Sequence, residues 1–201
     1  VLAKLTAFAE KAHEPVHEGT FQDTVLHEKD RRAKFGETEP AAAKGKATAG
    51  AESLPTEDLI PSANWKIVRA SSESVANQKF ARNAIDGNPA THWHTQLQGE
   101  LKKHPHELVV DLGAEHTVRG FRYLARQDNG WNGAIKECEF FVSNTPDQFD
   151  KPVAKATLQK IRKAQEVKCG PVQGRYVLLR VLSEVNGGPW ASVAELGVIG
   201  K

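Results

Sequence analysis

From Lys66 onward the chain is built of short apolar runs, alternating or nearly continuous, each closed by a cluster of Gly, Pro, Asn or Asp. The pattern predicts strands over Lys66–Ser71, Glu107–Leu112, Thr117–Ala125, Ile135–Ser143, Gln165–Lys168, Tyr176–Ser183 and Ala194–Ile199. Short strands separated by turn residues indicate an all-β sandwich or barrel and not a βαβ array. Within Tyr176–Leu182 the apolar side chains are nearly unbroken, as expected of a central strand covered on both faces. No internal repeat is visible.

The N-terminal part reads differently. Leu2, Leu5, Ala9 and Ala12 recur at three- and four-residue intervals, which predicts a short amphipathic helix ended by Pro15. From His13 to Gly36 the text is polar and too poor in spaced apolar residues to build a core of its own. Residues 37–53 are mostly Ala, Gly, Lys and Glu, the composition of a linker. The expected organisation is therefore a remnant of an upstream domain over 1–36, a linker over 37–60 and an all-β domain over 61–201.

Composition narrows the function. A formal net charge of +2 gives no field suited to nucleic acid. No apolar run approaches the ~18–20 residues of a membrane span, and residues 1–12 are too charged for a signal sequence. Methionine is absent, including at position 1, so the chain is expected to be a piece of a longer protein. The two cysteines, Cys138 and Cys169, leave open one disulfide or two free thiols.

Candidate chemistry concentrates in Asn83-Ala84-Ile85-Asp86-Gly87-Asn88-Pro89-Ala90-Thr91-His92-Trp93-His94-Thr95, read together with Ala194-Glu195. The Asp86 carboxylate, the Thr91 hydroxyl and the carbonyls of a tight Gly-Asn-Pro turn are hard oxygen donors, the kind Ca²⁺ collects in sets of about six to eight. Asp86-Gly87-Asn88 alone also suits a metal-free Asx turn. Trp93 is expected in the core. Trp190 follows Asn186-Gly187-Gly188-Pro189, a Gly-rich turn that buries an indole poorly, and is expected to face solvent. Arg126 has a possible local partner in Asp128 or Glu137.

From about Trp65 to Gly200 the sequence resembles the discoidin, or coagulation-factor type C, superfamily, and in particular the bacterial family 32 carbohydrate-binding modules. The residues that carry the resemblance are Ala70–Glu73, Ala84–Asn88 through Thr91–Thr95, Val109–Gly113, Tyr123–Asp128 and Ala191–Leu196. It implies a jelly-roll β-sandwich with binding loops at one end. It implies a structural calcium held by Asn83, Asp86, Asn88, Thr91, Ala194 and Glu195. It further implies a sugar site in which His94 and Arg126 bond hydroxyls, Trp190 stacks on the ring, and Asn132 and Asn77 add polar contacts. Leu97 stands where some relatives carry a second stacking tryptophan, so the platform is narrower or completed by Trp131.

A second resemblance is confined to Phe8–Val16 and Glu28–Gly36, which look like the C-terminal end of bacterial arylsulfatase-type sulfatases. No Cys-x-Pro-x-Arg motif surrounds Cys138 or Cys169, so sulfatase chemistry is not expected in these residues. The histidines and carboxylates include no pair at a recognisable catalytic spacing, and His13, His17 and His27 lie in a stretch without a core to hold a zinc site. The expectation is a non-catalytic module that binds galactose-like or sulfated glycans and targets an attached enzyme, secreted, periplasmic or at the cell surface. The alternatives are a protein- or phospholipid-binding adhesion domain using Leu97, Leu101 and Trp190 as apolar tips, or a purely structural part of a sulfatase.

Overall fold

The computed structural model describes residues 51–201. The expected helix and the remnant over 1–36 lie outside these residues, as does most of the expected linker. Eight strands follow in chain order: β1 (Lys66–Ala70), β2 (Trp93–His94), β3 (His106–Leu124), β4 (Ile135–Ser143), β5 (Ala154–Thr157), β6 (Gln165–Glu184), β7 (Ser192–Val193) and β8 (Glu195–Gly200). All their pairings are antiparallel.

The two long strands organise the molecule. The first half of β3 lies between β1 and the second half of β6, with Leu108 opposite Leu179 and Ala70 opposite Leu108. Its second half lies between β8 and the first half of β6, with Phe121 opposite both Val198 and Val167. β4 and β5 extend the first layer beyond β6. The two layers face one another across the core, where Phe121 from one stacks on Phe140 from the other at 4.2 Å, planes 11° apart. This is the aligned sandwich of a jelly roll, as expected.

Each long strand spans two of the strands anticipated from the pattern. The break expected after Leu112 is a kink, because Gly113 takes φ +83° and donates its N–H to Asp111 Oδ1 at 2.8 Å, after which pairing with β6 resumes at His116. A second register shift lies between Val118 and Gly120. There the inward positions change from even numbers (Leu108, Val110, Leu112, Val118) to odd ones (Phe121, Tyr123), as an added residue demands. Gly120 fits this tight passage because a Cβ would lie 2.8 Å from the Val167 carbonyl oxygen.

The core follows the alternation. Val177, Leu179 and Val181 of β6 enter the main cluster with Leu108, Val110, Phe140, Leu196 and Val198, while Leu178 packs with Val109 and Phe141 on the other face. β6 is thus covered on both sides. Trp93 is fully buried and donates its indole N–H to the Ser72 carbonyl at 2.9 Å. Residues at the end of the expected linker run along the sheet: Ile60 N–H bonds the Val198 carbonyl at 2.9 Å, and the Arg122 guanidinium bonds the Pro55 carbonyl at 3.0 Å. Cys138 is buried and Cys169 half-buried, and both are free thiols.

Candidate functional site

The short β2–β7 ladder assembles one end of the sandwich. Trp93 pairs with Val193 and His94 with Ser192, which brings His94 beside the loop that carries Trp190. Thr95 continues the join, with its N–H on the Ala191 carbonyl at 2.9 Å and its Oγ1 accepting the Ala191 N–H at 3.0 Å. The loop between β3 and β4 docks on the same residues. Ser192 donates its N–H to the Gly133 carbonyl at 2.7 Å and its hydroxyl to the Asn132 carbonyl at 3.2 Å. A Cβ on Gly133 would meet the Ala191 carbonyl carbon at 2.7 Å, so this approach depends on glycine.

His94 is fully buried, and its Nδ1 lies 2.7 Å from the Thr95 carbonyl oxygen. A carbonyl only accepts, so Nδ1 carries the proton and Nε2 keeps a lone pair. That Nε2 is buried without a hydrogen-bond partner among the described residues. Burial holds the His94 pKa below the usual imidazole range, against an upward pull from the Thr95 and Asn132 carbonyls. The Trp190 indole stands 6.4 Å from His94 between ring centres, inclined by 51°, and its Nε1 is equally without a partner. The residue itself is half-buried, so the ring is neither sealed inside nor free of the surface.

Arg126 closes the third side. Its Nε and Nη2 donate to the two Asp128 oxygens, each at 2.6 Å, and its Nη1 donates to the Asn132 carbonyl at 3.0 Å. The local Asp128 pair foreseen from the sequence therefore forms, yet a guanidinium has five N–H donors and this arrangement uses three. Burial opposes the ionised Asp128 carboxylate, but the adjacent guanidinium prevails and brings its pKa down to about 2. Asn132 is exposed and contributes through its carbonyl. Asn77 is exposed on a short 3₁₀ turn and donates its amide to Ser74 Oγ at 2.9 Å.

Beside this group lies a cluster of oxygen atoms. Asp86 Oδ1 accepts the Asn88 N–H at 2.9 Å and Oδ2 accepts the Thr91 hydroxyl at 2.7 Å, while the Asn88 carbonyl accepts from Thr91 N–H and Oγ1, both at 3.0 Å. Glu195, at the start of β8, belongs to the same cluster. Its buried Oε1 has no hydrogen-bond partner among the described residues. Burial, then the nearby Asp86 charge, pushes the Glu195 pKa up to about 8. Two carboxylates gathered with hydroxyl and carbonyl oxygens, one of them buried and short of a partner, fit a hard dication. Asn83 spends its amide N–H groups on the Gln78 and His92 carbonyls at 3.0 and 3.3 Å, which leaves its side-chain and backbone oxygens for such a role. Ala194 is held to β3 by its N–H on the Leu124 carbonyl at 2.9 Å.

Sequence reasoning missed some members of this end. His92 is buried with its ring 6.3 Å from His94 and its Nε2 without a hydrogen-bond partner among the described residues, and burial lowers its pKa to about 3. Arg162 stacks 3.8 Å over the Trp131 ring, donates to the Gly130 carbonyl at 3.0 Å and bonds the Arg126 carbonyl, fixing the loop between β3 and β4. His92 was visible as a neighbour of Trp93, but Arg162 gave no local signal. Leu97 and Leu101 are half-buried. No described helix is long and apolar enough to cross a membrane.

The sandwich, with these loops joined at one end, defines a discoidin-type β module. The F5/8 type C domain model matches residues 67–196, and the chain belongs to that family. A sialidase of Micromonospora viridifaciens is 35% identical over 148 residues, covering 73% of this chain and 23% of the sialidase. The chain thus corresponds to less than a quarter of that enzyme. Among solved structures, a family 32 carbohydrate-binding module of NanJ from Clostridium perfringens, in complex with galactose, is 30% identical with a TM-score of 0.61, over 70% of this chain and 97% of the module. Another module of that organism, in complex with GalNAc-β-1,3-galactose, is 29% identical with a TM-score of 0.62, over 71% and 99%.

Proposed function

We propose that this chain binds a galactose-type sugar at the end formed by His94, Arg126 and Trp190, and serves to hold an attached enzyme on its glycan. The observation that carries this reading is that the His94 ring, its Nε2 without a partner among the described residues, stands 6.4 Å from the Trp190 indole and shares the Asn132 carbonyl with the partly committed Arg126 guanidinium. Vicinal hydroxyls of a sugar meet His94 Nε2 as acceptor and the spare Arg126 N–H groups as donors, while the C–H face of the ring lies on the indole. Galactose-bound relatives of the same fold support the choice of sugar. A shallow site with one stack and few hydrogen bonds binds weakly, so the benefit comes from tethering.

Calcium belongs to the same reading. Asp86, Thr91 and Glu195, with the carbonyls of Asn83, Asn88 and Ala194, would hold the ion, which would supply charge that the clustered carboxylates lack. Its role is structural, tying the loop at Asp86 to the last strand. The attached enzyme is read as a sulfatase from residues 8–36, which extends the ligand range to sulfated glycans in a secreted, periplasmic or cell-surface setting.

The test is retention on a galactose-bearing affinity gel. Full retention by the wild type, with strong loss in each of His94→Ala, Arg126→Ala and Trp190→Ala at unchanged melting temperature, is the expected result. Retention indifferent to all three substitutions removes the site.

A further inference from the structure

The proposed sugar platform depends on an indole at the end of a Gly-rich loop, and the loop is held from two sides. From within, the buried Glu184 carboxylate accepts the N–H of Asn186 at 3.2 Å and of Gly188 at 2.6 Å, while the Glu184 carbonyl accepts the N–H of Gly187 at 3.2 Å. From outside come two imidazoles on the segment that leads into and begins β3. His104 Nε2 lies 3.2 Å from the Gly188 carbonyl oxygen and His106 Nε2 lies 2.6 Å from that of Pro189. Beyond Trp190, the Ala191 peptide is fixed by Thr95 on both its N–H and its carbonyl. Trp190 therefore sits between two pinned peptide groups. Its ring also packs on the loop: a Cβ added to Gly188 would meet Trp190 Cε3 at 2.9 Å.

We infer that His106 is a positioning residue for Trp190: by donating Nε2–H to the Pro189 carbonyl, it sets the angle at which the indole meets His94 and a bound sugar. This rests on the sugar-binding reading above. The Pro189 oxygen only accepts, so the His106 proton is on Nε2, and Nδ1 accepts from the Ser71 hydroxyl at 3.3 Å. Ser71 Oγ in turn accepts the Glu107 N–H at 3.2 Å, which directs its own proton toward the ring. Burial lowers the His106 pKa and keeps this neutral form. His104 packs edge-on against His106 at 4.8 Å, but its two nitrogens face two carbonyls, of Val181 and Gly188. Its contact to the Gly188 oxygen is the longer, 3.2 Å against 2.6 Å for His106 and Pro189, so His104 is the weaker clasp.

Galactose is the probe, applied to His106→Ala, His106→Gln and Ser71→Ala of the whole chain. The readouts are the dissociation constant, the melting temperature and the indole N–H resonance of Trp190, assigned by its loss in Trp190→Phe. His106→Ala is expected to shift or broaden that resonance and weaken galactose about five-fold, the worth of one neutral hydrogen bond, with the Trp65 and Trp93 resonances in place. His106→Gln, whose amide N–H reaches the same carbonyl, is expected to restore both. If His106→Ala does not fold, Ser71→Ala carries the test with the same signature at smaller size. An unmoved Trp190 resonance, or a loss that glutamine does not restore, overturns the assignment. If the wild type ignores galactose while the Trp190 resonance still responds to alanine and recovers with glutamine, the positioning role stands and the sugar reading falls.

Discussion

His94 and Trp190 stand 6.4 Å apart, ring centre to ring centre, and each keeps one buried nitrogen without a hydrogen-bond partner among the described residues. A buried polar atom left unpaired costs on the order of 1–3 kcal/mol, so two of them on adjoining rings mark a place where an external partner is worth having. Their relative angle is set by distant segments: the β2–β7 pairing from one side and the loop before Trp190 from the other.

Sugar binding should resist acid further than an ordinary histidine site. The His94 lone pair accepts a hydroxyl only while the ring is neutral, and burial lowers the ring's pKa below 6.5. Galactose affinity is therefore expected to be flat from neutral pH through 6.5 and to fall only below it. A titration with its midpoint at or above 6.5 would contradict this role for His94.

The metal-free protein should lose stability as pH rises. Glu195 is moved up from 4.5 to about 8 in the fold, so between these values the unfolded chain ionises while the folded one holds its proton. The sign is destabilising with increasing pH across that window, and level above it. In chelator, the melting temperature is expected to fall by several degrees between pH 5 and pH 8. Calcium binds the ionised form, so its rescue should be larger at pH 8 than at pH 5. A melting temperature in chelator that does not fall across this range, or calcium without effect at pH 8, speaks against the assignment.

Asp128→Asn separates aim from stability. The Arg126 side chain is 12% exposed and its partner 44%, so the open side of the pair is screened by water. Thermal unfolding is expected to register a loss of only about 1 kcal/mol. The guanidinium, however, loses the fork that fixes its direction, and galactose affinity should drop several-fold. Affinity equal to wild type would show that Arg126 needs no such guide.

The fold was largely readable from the pattern because burial on a pleated strand imposes a period that survives in single residues. The run Tyr176–Leu182 foretold a strand covered on both faces. What the pattern hid are effects of distance. A two-residue strand such as β2 has no period to display. The kink at Gly113 resembles a chain reversal until its partner strand is known. Likewise, the histidines that hold the loop before Trp190 lie 83 and 84 residues before their partners, and no local rule connects them.

The bent course of β3 and β6 has a mechanical consequence. Because each contributes one half to either layer, neither layer can be peeled away without tearing the backbone ladder of the other. A pull on either layer is therefore carried by the hydrogen-bond ladders of both, and the sandwich offers no seam along which the layers could part.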